Sequence, residues 1–333
     1  MDPAYTSAQL AEYLSYIGLP ESFHPSANPV LDLVYLSTLI THQITAIPYE
    51  NLSIHYSPQH AITLDPQALF AKMVASRRGR GGYCMENSIL FNHMLRAIGF
   101  DAHLAGVRIR PRLDGVPQGE SYTGWVHLVN IVTIPGEEEE ADEAQGGKPV
   151  RYAVDVGFGG DGMTLPMPLV AGRVHHNSLG TQEVRLVRGF IPNQRFRGPG
   201  AHQNWIYQVR NGREKEWVPF FAFNDEFEFT EDDFANISFY TSQSPASHQT
   251  VTPLAIRFLR GTGEDGRAKV VGKVMMAWGT VKRNVTGKTE VFKVCETEEE
   301  RIKVLRDLFA IHLTDEEVVS IKGRVAELVG KAA

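Results

Sequence analysis

The chain has 333 residues, 43% of them hydrophobic and 22% charged, enough for two or three domains around a sizeable core. A formal net charge of −6 argues against a general nucleic-acid binder, which would show a basic face. The only two cysteines, Cys84 and Cys295, exclude a disulfide framework and a cysteine-rich zinc site.

No apolar run is long enough to cross a bilayer, and the first residues lack a basic-then-apolar leader. Together with the cysteine usage, this predicts a soluble cytoplasmic protein in a reducing compartment.

Residues 1 to about 100 read as helical. Thr6 or Ser7 can cap a first helix through Leu10, Tyr13, Leu14 and Ile17, with Gly18 as its stop. A second is expected over 31–41, ending ahead of Pro48. Asp65-Pro66 opens a third through Leu69, Phe70 and Met73. Then comes Arg77-Arg78-Gly79-Arg80-Gly81-Gly82-Tyr83-Cys84, followed by apolar residues at helical spacing (Met85, Ile89, Met94, Ile98) and Gly99.

Beyond Gly99 the period becomes two. Strands are expected at 102–109, 125–132 and 150–156, with shorter ones between about 180 and 223. The acidic run Gly136 to Glu143 between the second and third reads as a solvated hairpin loop rather than a docking site. A helix is signalled after Thr230, and strands at 254–259, 269–278 and 289–294. Two capping boxes close the chain. Thr297 with Glu300 precedes Leu305 and Phe309, and Thr314 with Glu317 precedes Val318, Ile321, Val325 and Leu328.

The chemistry concentrates at Cys84. A cysteine where a Gly-rich turn enters a helix meets unpaired N–H groups and the positive end of the helix dipole, which favour a thiolate. Taken alone, it could equally be a buried, inert thiol starting a core helix. An activated thiol needs a base, and the base an orienting group. His127 interrupts the apolar strand 125–132, and Asp155 ends the run Tyr152-Ala153-Val154 before a Gly-rich turn. Singly, each has a plain structural reading, a satisfied strand histidine and a turn-capping aspartate. Neighbouring strands lie under about 5 Å apart, so the two can hydrogen-bond. The order Cys, His, Asp is that of papain-like enzymes, at separations far shorter than their roughly 130–150 residues.

Arg80-Gly81-Gly82-Tyr83-Cys84, Val126-His127-Leu128 and Val154-Asp155-Val156-Gly157-Phe158-Gly159 resemble the three signature segments of the arylamine N-acetyltransferase family. Ile47-Pro48-Tyr49-Glu50-Asn51-Leu52 is similar to the family's Pro-Phe-Glu-Asn-Leu segment, with Tyr for Phe. Asp233-Phe234 with Ser244-Pro245-Ala246-Ser247 is similar to a later one. The match runs in order over roughly residues 5 to 290.

The resemblance implies an α+β fold with a papain-like cysteine triad core: an N-terminal helical bundle (1–99), a central antiparallel β-barrel-like domain (100–225) and a C-terminal α/β lid (226–333). It implies Cys84 as acyl-accepting nucleophile, His127 as base and Asp155 as orienting acid. Thr123, Val126, Gly157, Gly159 and Tyr240 would lie beside the coenzyme, and Phe158 with Val126 beside the amine. Arg80 and Glu50 resemble a buried pair that fixes the turn, leaving Arg77 and Arg78 as solvated residues.

The implied activity is ping-pong transfer of an acetyl or other short acyl group, malonyl included, from acyl-CoA to an arylamine or arylhydrazine. No permanently bound cofactor, metal or obligatory protein partner is implied. Ser238 stands for a usual Asn and Gln249 near a usual Phe; with the acidic loop and extended C-terminus, these resemble fungal members more than short bacterial ones. The same triad would also serve a cysteine hydrolase, a transglutaminase-like enzyme or an amide synthase, and a non-catalytic protein could retain the fold. Cys295 reads as a packing residue, and His175-His176 has no metal-ligand spacing.

Overall fold

The structure, a computed structural model, describes residues 3–113, 116–134, 149–285 and 287–330. The acidic run after Pro135 lies outside the described residues.

The N-terminal helices form where the caps and apolar spacing place them. Thr6 caps Ser7–Ile17, which ends on Gly18 in the left-handed region. Asp32 caps the second helix, which runs Leu33–Ala46, five residues further than its sequence suggested. Thr41 and Thr45 hydroxyls bond back to carbonyls of their own helix, which lets the polar stretch stay helical up to the Pro48 barrier. Asp65 caps Pro66–Phe70, and the chain continues through a π-turn, Ala71–Ala75, into the arginine-glycine turn. Cys84–Ile98 follows, with Gly99 as its left-handed stop. Its first twelve residues are buried, so this helix is wrapped on all sides by the rest of the fold.

Eight antiparallel strands form the central sheet, in the order Met167–Pro168, Val150–Val154, Trp125–Ile134, Asp101–Ile109, Val218–Phe223, Asn204–Asn211, Gln182–Gly189, Val174–His176. One face packs on the nucleophile helix through Leu128, Val132 and Val154, and the other encloses Val129, Leu186, Tyr207 and Phe221. This curled half-barrel matches the expected β-barrel-like centre.

A second antiparallel sheet runs Tyr49–Glu50, Leu254–Thr262, Ala268–Ala277, Thr280–Val285, Lys288–Val294. Its first strand comes from the N-terminal region. The sheet packs on Glu298–Phe309 through Val274, Met276, Val304, Leu305 and Phe309. Strand Thr280–Val285 is not evident in the sequence because Lys282 and Arg283 point to solvent and break the apolar pattern.

Two C-terminal expectations change. Glu300 turns its carboxylate to the Glu296 N–H rather than that of Thr297. The last helix is only Asp315–Ser320, and Gly323 in the left-handed region follows it instead of further helical turns. Among the described residues, no helix is long and apolar enough to cross a membrane.

Candidate active site

The turn ahead of Cys84 is built from close backbone contacts and buried charge. A Cβ on Gly81 would sit 1.8 Å from the Pro48 carbonyl oxygen, so only glycine lets these two backbones meet. Glu50, fully buried, accepts from Arg80 Nε at 2.9 Å, from the Gly81 N–H at 3.2 Å and from the Leu52 N–H at 2.6 Å. Burial would raise the Glu50 carboxyl, but the Arg80 and Lys72 charges outweigh it and hold the group below its ordinary value. The expected Arg80–Glu50 pair is thus present.

Arg80 also pairs with Glu317 of the last helix, which Arg78 reaches at 2.5 Å. Arg78 is therefore not a solvated residue. Arg77, by contrast, is exposed as expected, lying over the Tyr16 ring and 3.1 Å from Glu12.

Behind the turn, the Tyr83 N–H donates to Glu86 at 3.1 Å, and Glu86 pairs with Lys72. Burial pushes the Glu86 carboxyl up, and Lys72 offsets this only in part. The Tyr83 hydroxyl meets Ser238 Oγ at 2.5 Å, so the serine in place of the family's Asn fills a definite role.

Cys84, His127 and Asp155 are all buried, at 5%, 1% and 3% exposure. Asn130 pairs with Val154 across the sheet. Continuing that register sets Asp155 diagonal to His127 on one face, within reach of a side-chain bond. His127 Nε2 is 2.8 Å from Asp155 Oδ2, while Asp155 Oδ1 accepts from the Gly157 N–H at 2.9 Å. Phe158 meets the imidazole edge-on at 5.2 Å, and Phe221 flanks it at 6.2 Å. The ring is thereby fixed in plane and tilt.

Cys84 Sγ lies 3.8 Å from the carbonyl oxygen of Val126, the residue before His127, and makes no hydrogen bond to the imidazole. Burial pushes the Cys84 thiol up, and the Asp155 carboxylate adds to this; the N–H groups of Met85 and Cys84 pull the other way. Burial thus outweighs the N–H groups of the helix start in setting the Cys84 thiol. A buried thiolate needs a cation against it.

The other sequence candidates are distributed unevenly. Gly157 packs on the nucleophile: a Cβ there would lie 2.7 Å from the Cys84 carbonyl oxygen and 2.9 Å from its Cα. Its Cβ side thus faces the nucleophile helix. Gly159 has φ +84° and would meet Ile256. Thr123 uses its hydroxyl on backbone, accepting from the Ile109 N–H and donating to the Gly124 carbonyl. Tyr240 is 51% exposed on the helix Glu231–Gln243. In the sequence Lys72 carries no signal, Glu317 reads only as part of a cap and Ser238 only as a departure from the family pattern. Among the described residues, no group of three or more His, Cys, Asp or Glu is placed to hold a metal ion.

A family model described as N-acetyltransferase matches residues 32–318. The chain belongs to the arylamine N-acetyltransferase family. It is 32% identical over 335 residues to the N-malonyltransferase FDB2 of Fusarium pseudograminearum, covering 95% of this chain and 92% of that one. To the arylamine N-acetyltransferase of Mycolicibacterium smegmatis it is 31% identical, over 96% and 98% of the two chains. The fold superposes on the Mycobacterium marinum arylamine N-acetyltransferase in complex with CoA with a TM-score of 0.71 at 24% identity, covering 96% and 99%. The chain is accordingly an acyltransferase of this family.

Proposed function

We propose that this acyltransferase moves a short acyl group, acetyl or malonyl, from an acyl-CoA to an aromatic amine or hydrazine through an acyl-Cys84 intermediate. The observation that carries the reading is the buried His127 Nε2–Asp155 Oδ2 bond of 2.8 Å, on the strand whose Val126 carbonyl oxygen lies 3.8 Å from the buried Cys84 sulfur. In this reading residues 1–99 carry the nucleophile, 100–225 its two partners, and 226–333 cover them. The CoA-bound M. marinum relative supports a CoA thioester as co-substrate, and the Fusarium relative's name supports malonyl beside acetyl as the group transferred.

The chemistry follows from the geometry. Asp155 holds Nε2, leaving Nδ1 to take the Cys84 proton as the sulfur attacks the thioester carbonyl. Thiolate and imidazolium form together, which answers the cost of a buried thiolate. Backbone N–H groups at the helix start, that of Cys84 among them, stabilise the oxyanion. CoA leaves with a proton and Cys84 keeps the acyl group. An aromatic amine, largely unprotonated at neutral pH, then attacks; His127 removes its proton and the thiolate is expelled. Ping-pong kinetics follow. Thr123, Val126, Gly157, Gly159 and Tyr240 line the coenzyme side in this reading, and Phe158 with Val126 the amine side.

Intact-mass analysis after mixing with acetyl-, propionyl- or malonyl-CoA tests it. A mass gain that disappears in Cys84→Ser is expected. A Cys84→Ala variant that retains full transfer would overturn the proposal. Peptide or amide turnover without CoA would instead mark a hydrolase.

A further inference from the structure

Two departures from the family pattern turn out to be one feature. Tyr49 stands where the pattern has Phe, and Gln249 stands near another Phe of the pattern. They are 200 residues apart, yet Gln249 Nε2 donates to the Tyr49 hydroxyl at 2.7 Å. Both are buried, at 8% and 7% exposure. Where two phenyl rings would make an apolar wall, this chain has a hydrogen-bonded polar pair.

The pair is held in place from both sides. Gln249 Oε1 accepts from Asn51 Nδ2 at 2.8 Å, and Asn51 Oδ1 accepts from the Leu254 N–H at 2.7 Å. Gln249 Nε2 also lies 3.2 Å from His248 Nε2. Tyr49 is tied to the nucleophile turn by its backbone bridge to Gly82, and its ring lies against Gly159 in the loop after Asp155.

Burial, and after it the nearby Cys84 sulfur, push the Tyr49 phenol up, so it keeps its proton. Its oxygen accepts from Gln249, and among the described residues its own O–H has no acceptor. A buried donor without an acceptor is costly, and an acetyl methyl beside it offers none. A carboxylate would accept from the phenol, while the Gln249 amide, already given to Tyr49 and His248, holds that hydroxyl in place. In a malonyl thioester that carboxylate stands one methylene beyond the reacting carbonyl, so its receptor must flank the nucleophile. The neighbouring carboxylates Glu50 and Glu86 already have their charges met by Arg80 and Lys72.

We propose that Tyr49 and Gln249 form a carboxylate-binding acyl pocket that selects malonyl over acetyl and over uncharged acyl groups of malonyl size. The proposal rests on the acyl-cysteine reading above and adds the residues that choose the donor.

The test is the rate of mass gain at Cys84 with malonyl-, acetyl- and isovaleryl-CoA, the last matching malonyl in shape without its charge. The wild-type protein is expected to load malonyl at least about tenfold faster than isovaleryl. The Tyr49→Phe/Gln249→Phe double variant is expected to lower the malonyl-to-acetyl rate ratio by about tenfold or more. Equal loading of malonyl and isovaleryl by the wild type, or an unmoved ratio in a variant shown to be folded by its thermal unfolding, overturns the pocket. Should the double variant not fold, the wild-type comparison decides. A wild type that loads acetyl but not malonyl sinks the pocket alone; one that loads nothing from any thioester sinks the acyl-cysteine reading as well.

Discussion

Arg80 joins Glu50 to Glu317 in one buried ionic cluster, so the last helix of the chain is bolted to the turn that presents the nucleophile. Breaking such a cluster from its centre differs from trimming its rim. Arg80→Met leaves Glu50 charged and fully buried, an outcome expected to cost roughly 3–5 kcal/mol of unfolding free energy. Glu317→Gln keeps Arg80 on Glu50 and sacrifices only charge-assisted bonds, for about 1–3 kcal/mol. Urea unfolding of both variants gives the comparison; equal costs would mean that Glu50 does not need its cation.

The thiol makes a second prediction. Burial holds Cys84 up, and in the proposed mechanism His127 supplies the counter-charge. The thiolate–imidazolium pair should let iodoacetamide alkylate wild-type Cys84 at mildly acidic pH. In His127→Gln the counter-charge is gone and only burial remains. Alkylation should then be negligible below about pH 8 and rise only in the alkaline range. A His127→Gln profile overlying that of the wild type would remove His127 from the role given to it.

Gly157 offers a steric test. An alanine methyl would press into the Cys84 backbone and into Ser88 Oγ, at 2.9 Å. Something must shift, and both neighbours belong to the helix that carries the sulfur. Gly157→Ala is expected to cost about 1–3 kcal/mol in stability. It should slow acylation by around 10²-fold through misplacement of the nucleophile. Stopped-flow acylation at saturating acyl-CoA separates this from weaker coenzyme binding, which would raise KM and leave the single-turnover rate intact.

His127 and Asp155 were legible in the sequence because His127 puts an ionisable ring into an otherwise apolar strand and Asp155 directly follows the apolar end of the next one. Glu317 was not, for a physical reason: it also completes a local capping box, accepting from the Thr314 N–H at 2.8 Å. A residue fully accounted for by its neighbours gives no sign of a distant arginine. Tyr49 and Gln249 were visible only as two unconnected departures, since nothing local links positions on different elements. The packing of Gly157 on the nucleophile was not legible for a similar reason. A glycine signals a close approach without saying to what, and on its Cβ side the neighbour is the nucleophile helix.

His55 gives the pH prediction. It is fully buried, with Nε2 2.9 Å from the Gln249 carbonyl oxygen and, among the described residues, no hydrogen-bond partner for Nδ1. Adding a proton would put a full charge into a site closed to water, beside the Arg301 and Arg324 charges. Burial accordingly lowers the His55 pKa from 6.5 to about 4. With the folded value below the unfolded one, the unfolded chain binds the extra proton first as pH falls. The contribution to stability is complete above about pH 6.5 and is lost progressively down to about pH 4. Its size is at most roughly 3 kcal/mol. Thermal unfolding between pH 7.5 and 4 should show a falling Tm in the wild type. His55→Gln, whose amide can still donate to the Gln249 carbonyl, should flatten the part of that fall between pH 6.5 and 4.5. A variant with an unchanged slope there would show that His55 titrates normally in the folded protein.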